Sequence, residues 1–346
     1  MKPELMLEPL PAGKLPAWLL HKILPKGARD PRVLVGPGLG RDAAAIAIGD
    51  RIIVAKNDPI TFASEDAAEH LVEVNANDVA CMGAVPRWLL VTGLLPLGIT
   101  PAGVLNQFAA LREACHRRSV DLIGGHTEIV PGLERPILVG MMLGDSAPDE
   151  LIRPGQARPG DVLLLTKGLA IEGTALLAKA RRAELLPHIG EDGLRAAKTL
   201  MQQPGISVVA DAIAASQAGG VTALHDPTEG GFATAVREIA QASQVGAEID
   251  ASALAIYPET RAVAAALGLD PLGMLASGAL LIAARPDSVA RIRSSVTAEG
   301  IPINIVGRLI SDPKSLVLRT QDELVPLPEF AVDEIAREFA KSPEAT

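Results

Sequence analysis

Short apolar runs, cut by glycine, proline and charge, predict strands over residues 32–35, 51–55, 87–95, 121–124 and 137–143. Two segments between them carry apolar residues at helical spacing instead. Residues 64–82 form one predicted helix, with Ser64 as its N-cap and its end near Gly83. Residues 101–118 form the other, with Thr100 as N-cap and Pro101 at the first helical position. The pattern breaks at 144–161, where GDSAPDELIRPGQARPGD concentrates proline, glycine and charge, and a domain boundary is expected there, between 1–150 and 151–346. The second half restarts with a strand over 162–166. Further strands are expected over 221–225, 247–249, 278–284 and 303–306, and helices over 172–182, 191–201, 207–218, 232–243, 286–299 and 332–341. Both halves mix strands with long helices, so the expected fold class is α/β, of the α+β kind, in two domains. No short-period repeat is present, which argues against solenoids and propellers.

Composition sharpens this picture. A chain of 346 residues exceeds one ordinary core, and with 48% hydrophobic but only 2% aromatic residues its cores are expected to be aliphatic. The longest apolar stretch, 88–99, is broken by Gly93, Pro96 and Gly98 and is shorter than the roughly 20 residues of a membrane helix, so no membrane association is expected. The N-terminus is proline-rich and acidic where a secretory signal would be basic and then apolar, which points to the cytoplasm. Cys81 and Cys115 make neither a disulfide framework nor a CxxC pair and read as buried thiols. A net charge of −9 and few aromatic platforms argue against a nucleic-acid partner.

Five segments place carboxylates beside glycine or small residues at the ends of apolar runs: GLGRDAAAI (38–46), AKNDPI (55–60), NANDVACMGAVP (75–86), IGGHTEIVPG (123–132) and LHDPTEGGFATAV (224–236). An isolated carboxylate in an apolar surrounding is costly, so such acids must be solvated, paired or bound to a metal. Glycine lets phosphate approach backbone N–H groups, and the combination fits a nucleotide phosphate held through Mg²⁺. Asp42 follows a glycine turn and reads equally as a self-capping turn residue. Asp58 ends a strand, a position that serves ligands or an Asp-Pro turn. Asn77 and Asp78 sit inside a helix, which disfavours both types. If Asn75, Asp78 and Met82 share a face, Asp78 reaches a metal or phosphate cluster; otherwise it lies on a solvated face. His126 and Glu128 follow Gly124-Gly125, offering a hydrogen bond and a hard oxygen ligand, or an ordinary structural histidine. In HDPTEGG, Thr228 can cap a helix while Gly230 and Gly231 present N–H donors, and Asp226 and Glu229 are spaced for Mg²⁺ or for a plain first helical turn. There is no GxxxxGK[ST], HExxH, GxSxG or helix-opening GxGxxG.

The order of these segments, over about 13–308, resembles the aminoimidazole ribonucleotide (AIR) synthetase superfamily, which includes thiamine-monophosphate kinase, selenophosphate synthetase and the hydrogenase maturation protein HypE. NDVACMGAVPRWLL resembles the family's Asn-Asp helix and following strand, GGHTEIVPG its glycine and acid turn, HDPTEGGFATAVREIA and DPLGMLASGALLIA its second-domain segments in HypE. The resemblance implies an N-terminal ATP-binding domain whose mixed sheet forms a barrel across a homodimer, and a C-terminal α/β domain beside it. It implies ATP and Mg²⁺, with Asp42, Asp58, Asp78 and Glu128 as metal ligands. Gly40, Asp42, Asn77, Gly124, Gly125, Thr127 and Gly230 would contact the nucleotide, and Asp78, His126 and Asp226 would be catalytic. The implied reaction is phosphorylation of an oxygen on a small-molecule or protein-bound carboxamide substrate, as in hydrogenase maturation. Alternatives are a small-molecule kinase such as thiamine-monophosphate kinase, or a non-catalytic ATP-binding accessory. Departures are visible: no cysteine follows Cys115, where HypE has a terminal one, His126 stands where the kinase branch has aspartate, and Glu229 is kinase-like where HypE tends to arginine. No N-terminal cysteine or selenocysteine loop is present, unlike selenophosphate synthetase.

Overall fold

The computed structural model describes residues 10, 15, 17–38, 40–60, 66–321 and 323–341. The expected Ser64 cap and most of the N-terminal segment lie outside the described residues. The first half contributes strands β1 (Val33–Val35), β2 (Ala44–Ile48), β3 (Arg51–Ile60), β4 (Val85–Pro96), β5 (Asp121–Val130) and β6 (Ile137–Ser146), with helices α1 (Ala17–Ile23), α2 (Ala67–Cys81) and α3 (Pro101–Arg117). Its sheet runs β1-β2-β3-β6-β4-β5, antiparallel except for the β4–β5 pair.

The second sheet uses β7 (Val162–Thr166), β8 (Val221–His225), β9 (Gly246–Asp250), β10 (Leu281–Ala284), β11 (Ile303–Ile310), β12 (Leu316–Arg319) and β13 (Leu324–Pro326). Their order is β13-β12-β9-β11-β7-β10-β8, with only β12–β9 parallel. Helices α4 (Ile171–Ala180), α5 (Arg182–Thr199), α6 (Val209–Ala218), α7 (Gly231–Ser243), α8 (Pro258–Leu267), α9 (Val289–Ala298) and α10 (Glu334–Phe339) accompany it. The fold is therefore mixed α/β built on two sheets, and the core around the second is the expected aliphatic one, with Phe232 fully buried among Leu, Val, Ile and Ala.

Helix α2 is the element that positions the site. Its apolar stripe, Leu71, Val72, Ala76 and Val79, is fully buried. It seats against β6 because two glycines there leave room: a Cβ on Gly140 would lie 3.1 Å from Leu71 Cγ, and one on Gly144 only 2.4 Å from Val79 Cγ1. On the opposite side, Ala80 and Cys81 join a core with Leu164, Val208, Ala212, Leu280 and Ile282 of the second half. One helix thus belongs to both cores.

Several expectations need correction. The Gly124-Gly125 doublet is not a turn, because β5 runs on to Val130 in register with β4, Gly125 facing Val91. Glycine is needed at 125 for a close approach, since a Cβ there would stand 1.9 Å from Val91 O and φ is +142°. The helix expected at 191–201 starts at Arg182 and kinks at Gly190, whose φ is 66°. Strand β2, with its small AAIAI sequence, and helices α1 and α8 were not expected. Thr228 does not cap α7, which begins from Gly230 in a left-handed conformation. Thr100 does cap α3, accepting from Gly103 N at 3.1 Å.

One polar clasp ties the halves together, and a second braces the second half where the first lands. Asn77, fully buried, donates to Ile206 O at 2.9 Å and accepts from Val208 N at 2.8 Å. Lys167 Nζ donates to Ser207 O at 2.6 Å and meets Asp211 Oδ2 at 3.0 Å, both side chains being buried. Burial pulls the Lys167 amine below its usual range despite Asp211. Asn77→Ala strips partners from two buried backbone groups, each worth about 1–3 kcal/mol, so unfolding free energy should fall by at least about 2 kcal/mol in a urea titration. Asp211→Ala leaves a buried ammonium poorly compensated and should cost about 3–5 kcal/mol, most of it recovered in the Lys167→Met, Asp211→Leu double variant.

Candidate functional site

Strand β3 alternates inward and outward, so Lys56 and Asp58 share a face. Helix α2 crosses that face, and Asn75 fixes the crossing by accepting from Asp58 N at 3.0 Å and donating to Leu71 O at 2.8 Å. One turn further along α2, Asp78 lies beside Lys56. The ammonium reaches Asp78 Oδ2 at 2.5 Å and Asp58 Oδ2 at 3.3 Å, with the Lys56 side chain only 9% exposed. Burial works against the Lys56 charge, but Asp78, Asp58 and Asp42 outweigh it and hold the amine well above its ordinary range.

Across from α2, the end of β8 delivers His225 and Asp226. Asp226 is 2% exposed, and its Oδ2 has no hydrogen-bond partner among the described residues. Its Oδ1 accepts from the Cys81 thiol at 3.7 Å, and its carboxyl lies against that of Asp78. Burial first, and then the charge of Asp78, push the Asp226 carboxyl well above the usual carboxylate range. His225 Nε2 contacts Glu238 Oε2 at 2.6 Å. Burial disfavours the imidazolium, yet the Glu238 hydrogen bond and charge prevail and raise the histidine to about 9. Burial also drives the Cys81 thiol upward, so this cysteine is an inert wall, buried and free like Cys115.

These groups line one cleft of about 560 Å³, counting its open mouth, between the two halves. Gly40, Asp42, Asp78, Arg153, Asp226 and Glu238 are among its walls. Of the residues singled out in the sequence, Gly40, Asp42, Asp78 and Asp226 meet here, and Asp58 stands beside them through Lys56.

The others are elsewhere. Asn77 is the interdomain clasp, with both ends of its amide engaged by backbone. Gly230 N donates to Asp333 Oδ2 at 2.7 Å, so a carboxylate of the chain itself occupies that helix start. Gly124, Gly125, His126, Thr127 and Glu128 lie on exposed β5, where His126 Nε2 pairs with Glu128 Oε2 at 3.4 Å. The register Asp58, Gly140, Val91, Gly125 puts three strand spacings, about 14 Å, between β3 and β5. Within one chain, His126 and Glu128 do not join the cleft.

Sequence reading assigned no role to Lys56, His225 or Glu238. The signal for Lys56 was its place two residues before Asp58 on one strand. Glu238 carried none, because an acid one or two turns into a helix reads as a solvated face.

The donor set suits a hard divalent cation. Mg²⁺ is held typically by one or two carboxylates together with substrate phosphates. Asp78 and the orphaned oxygen of Asp226 supply such a pair, and a cation between them would relieve their repulsion. Among the described residues no three acids, histidines or cysteines already converge closely enough to bind an ion without further ligands.

Residues 40–145 match the N-terminal domain, and residues 158–318 the C-terminal domain, of AIR synthase related proteins. Carbamoyl dehydratase HypE of Rhizobium leguminosarum bv. viciae is 28% identical over 290 residues, covering 80% of this chain and 79% of that protein. Selenide, water dikinase of Pseudomonas straminea is 30% identical over 257 residues, covering 73% of this chain and 68% of that protein. The crystal structure of hydrogenase maturation protein HypE in complex with ATP shares the fold, with a TM-score of 0.70 at 22% identity over 89% of this chain and 92% of that one. With both domains matched in order and relatives aligned across most of their length, the chain belongs to the AIR synthase related family.

Proposed function

We propose that this protein is an ATP- and Mg²⁺-dependent enzyme that transfers the γ-phosphate of ATP to a substrate oxygen. One observation carries the reading: a buried Asp226 carboxylate with an unpartnered oxygen faces Asp78 across a cleft that also holds Asp42. Buried acids in that arrangement call for a cation, and phosphoryl transfer depends on charge neutralisation and alignment more than on covalent help. Mg²⁺, when bound, would supply that neutralisation. Asp78 would hold the metal from the first half with Asp42 and Asp58 around it, Gly40 leaves the backbone accessible, and Asp226 closes the site from the second half as the ion's other carboxylate.

In this reading residues 1–150 bind nucleotide and residues 151–346 complete the cleft, with the whole protein acting in the cytoplasm. The acceptor is a carboxamide oxygen, on a small molecule or a protein, by analogy with the relative named as a carbamoyl dehydratase. A homodimer belongs to the same proposal. Strand β5 pairs with β4 alone, and its exposed Ile123 and Ile129 suit a second copy's sheet. His126, Glu128 and the neighbouring glycines would then work at a subunit interface. The identity to a dikinase favours, as a second reading, a small-molecule kinase.

An ADP-release assay over carboxamide, carbamate and thiamine monophosphate acceptors separates the two readings. Asp78→Asn should lower turnover roughly 100-fold or more while circular dichroism stays unchanged. Chelation by EDTA should remove ADP release altogether. Turnover that survives both would sink the assignment.

A further inference from the structure

Beside the cleft, its acids already hold a cation that belongs to the chain. The Lys56 ammonium lies 2.5 Å from Asp78 Oδ2 and 3.3 Å from Asp58 Oδ2, and Asp42 contributes a third negative charge nearby. A divalent ion bridging the same two oxygens would need to sit about 2.1 Å from each, in the volume the ammonium fills. Both cannot be there. The lysine does not serve the core in any evident way: its amine points at the acids, and a threonine or methionine would pack on β3 without burying a charge. Asp226 comes to Asp78 from the second half, and among the described residues no ion pair joins it to Lys56. Its buried Oδ2 has no hydrogen-bond partner among the described residues, 2% of the residue being exposed, and its carboxyl lies against that of Asp78.

We propose that Lys56 is a built-in cation that replaces one divalent ion in the acidic cleft, so that the site takes a single metal ion, between Asp78 and Asp226. The ammonium holds Asp58 and the near oxygen of Asp78, and leaves the second face of Asp78 for the ion that arrives with the nucleotide. Lys56 is thereby a positioning residue, acting through the carboxylates it holds. The inference rests on the cleft being a cation site, and it deepens the function proposed above by setting the number of ions.

Mn²⁺ reports this directly, counted by electron paramagnetic resonance on the full chain. Wild-type protein with a non-hydrolysable ATP analogue should bind one Mn²⁺ per chain, and a count of two would overturn the proposal without any variant. Nucleotide-free Lys56→Met should gain one Mn²⁺ per chain, or bind at least tenfold more tightly than wild type. Lys56→Arg, which keeps the charge, should count like wild type. Equal number and affinity in wild type and Lys56→Met would make Lys56 a plain structural partner and overturn the inference. If Lys56→Met fails to fold, Lys56→Thr and the wild-type count decide. A chain that binds Mn²⁺ as expected but no nucleotide would defeat the proposed reaction and leave the role of Lys56 standing.

Discussion

Four carboxylates, Asp42, Asp58, Asp78 and Asp226, are gathered near one another at the junction of the two halves, and the fold must hold them there against their mutual repulsion. Water cannot do this for Asp226, which is 2% exposed. The repulsion is met by opposite charge from the chain itself. Lys56 answers Asp58 and Asp78, and His225, held cationic by Glu238, stands next to Asp226. A buried ion pair is weak support for stability, since desolvation takes back most of the Coulomb gain, so such a cluster persists where the surrounding packing imposes it. Here α2 imposes it.

The means are small residues and amides rather than charge. Gly140 and Gly144 let α2 sink onto β6, which fixes its height above β3. Asn75 then ties α2 to the backbone of Asp58, and Asn77 ties the same turn of helix to Ile206 and Val208 in the second half. Asp78 follows directly, so its direction is set from both domains at once. A change in how the halves sit would move Asp78 relative to Asp226 before it moved either core. The polar asparagines, unfavourable in a helix by propensity, are the reason the acid next to them is rigid.

Much of this was legible in the sequence where local chemistry dominates. Thr100-Pro101 announced α3, and the strand at 162–166 was read to the residue; of Asn75, Asp78 and Met82, posed as one face of α2, Asp78 and Met82 line the cleft while Asn75 turns to β3. What failed depended on partners distant in the chain. A glycine doublet followed by polar residues reads as a turn, yet Gly124 and Gly125 continue a strand alongside β4, whose backbone comes too close for a Cβ at Gly125. Asn77 looked like a ligand because a polar residue in a helix needs a purpose, and its purpose, a backbone clasp 129 residues away, has no local trace. Lys56 received no role because charge compensation is a property of the assembled cluster.

The same reasoning bears on how an anionic nucleotide enters an acidic cleft. The helix start at Gly230, a natural place for phosphate, is filled by the carboxylate of Asp333, which α10 brings back across the second domain. Phosphate attraction must therefore come from cations, and the cleft offers Arg153 and His225 along its wall, with Lys56 behind Asp78. Lys56, however, is engaged by two aspartates, so its charge cancels carboxylate rather than recruiting phosphate. On the proposed reading, a nucleotide carrying a divalent ion would bring to Asp78 and Asp226 a positive charge that the metal-free nucleotide lacks. On that reading the charge arrangement would favour the metal complex of the nucleotide over the free anion, through carboxylates that the fold has already placed.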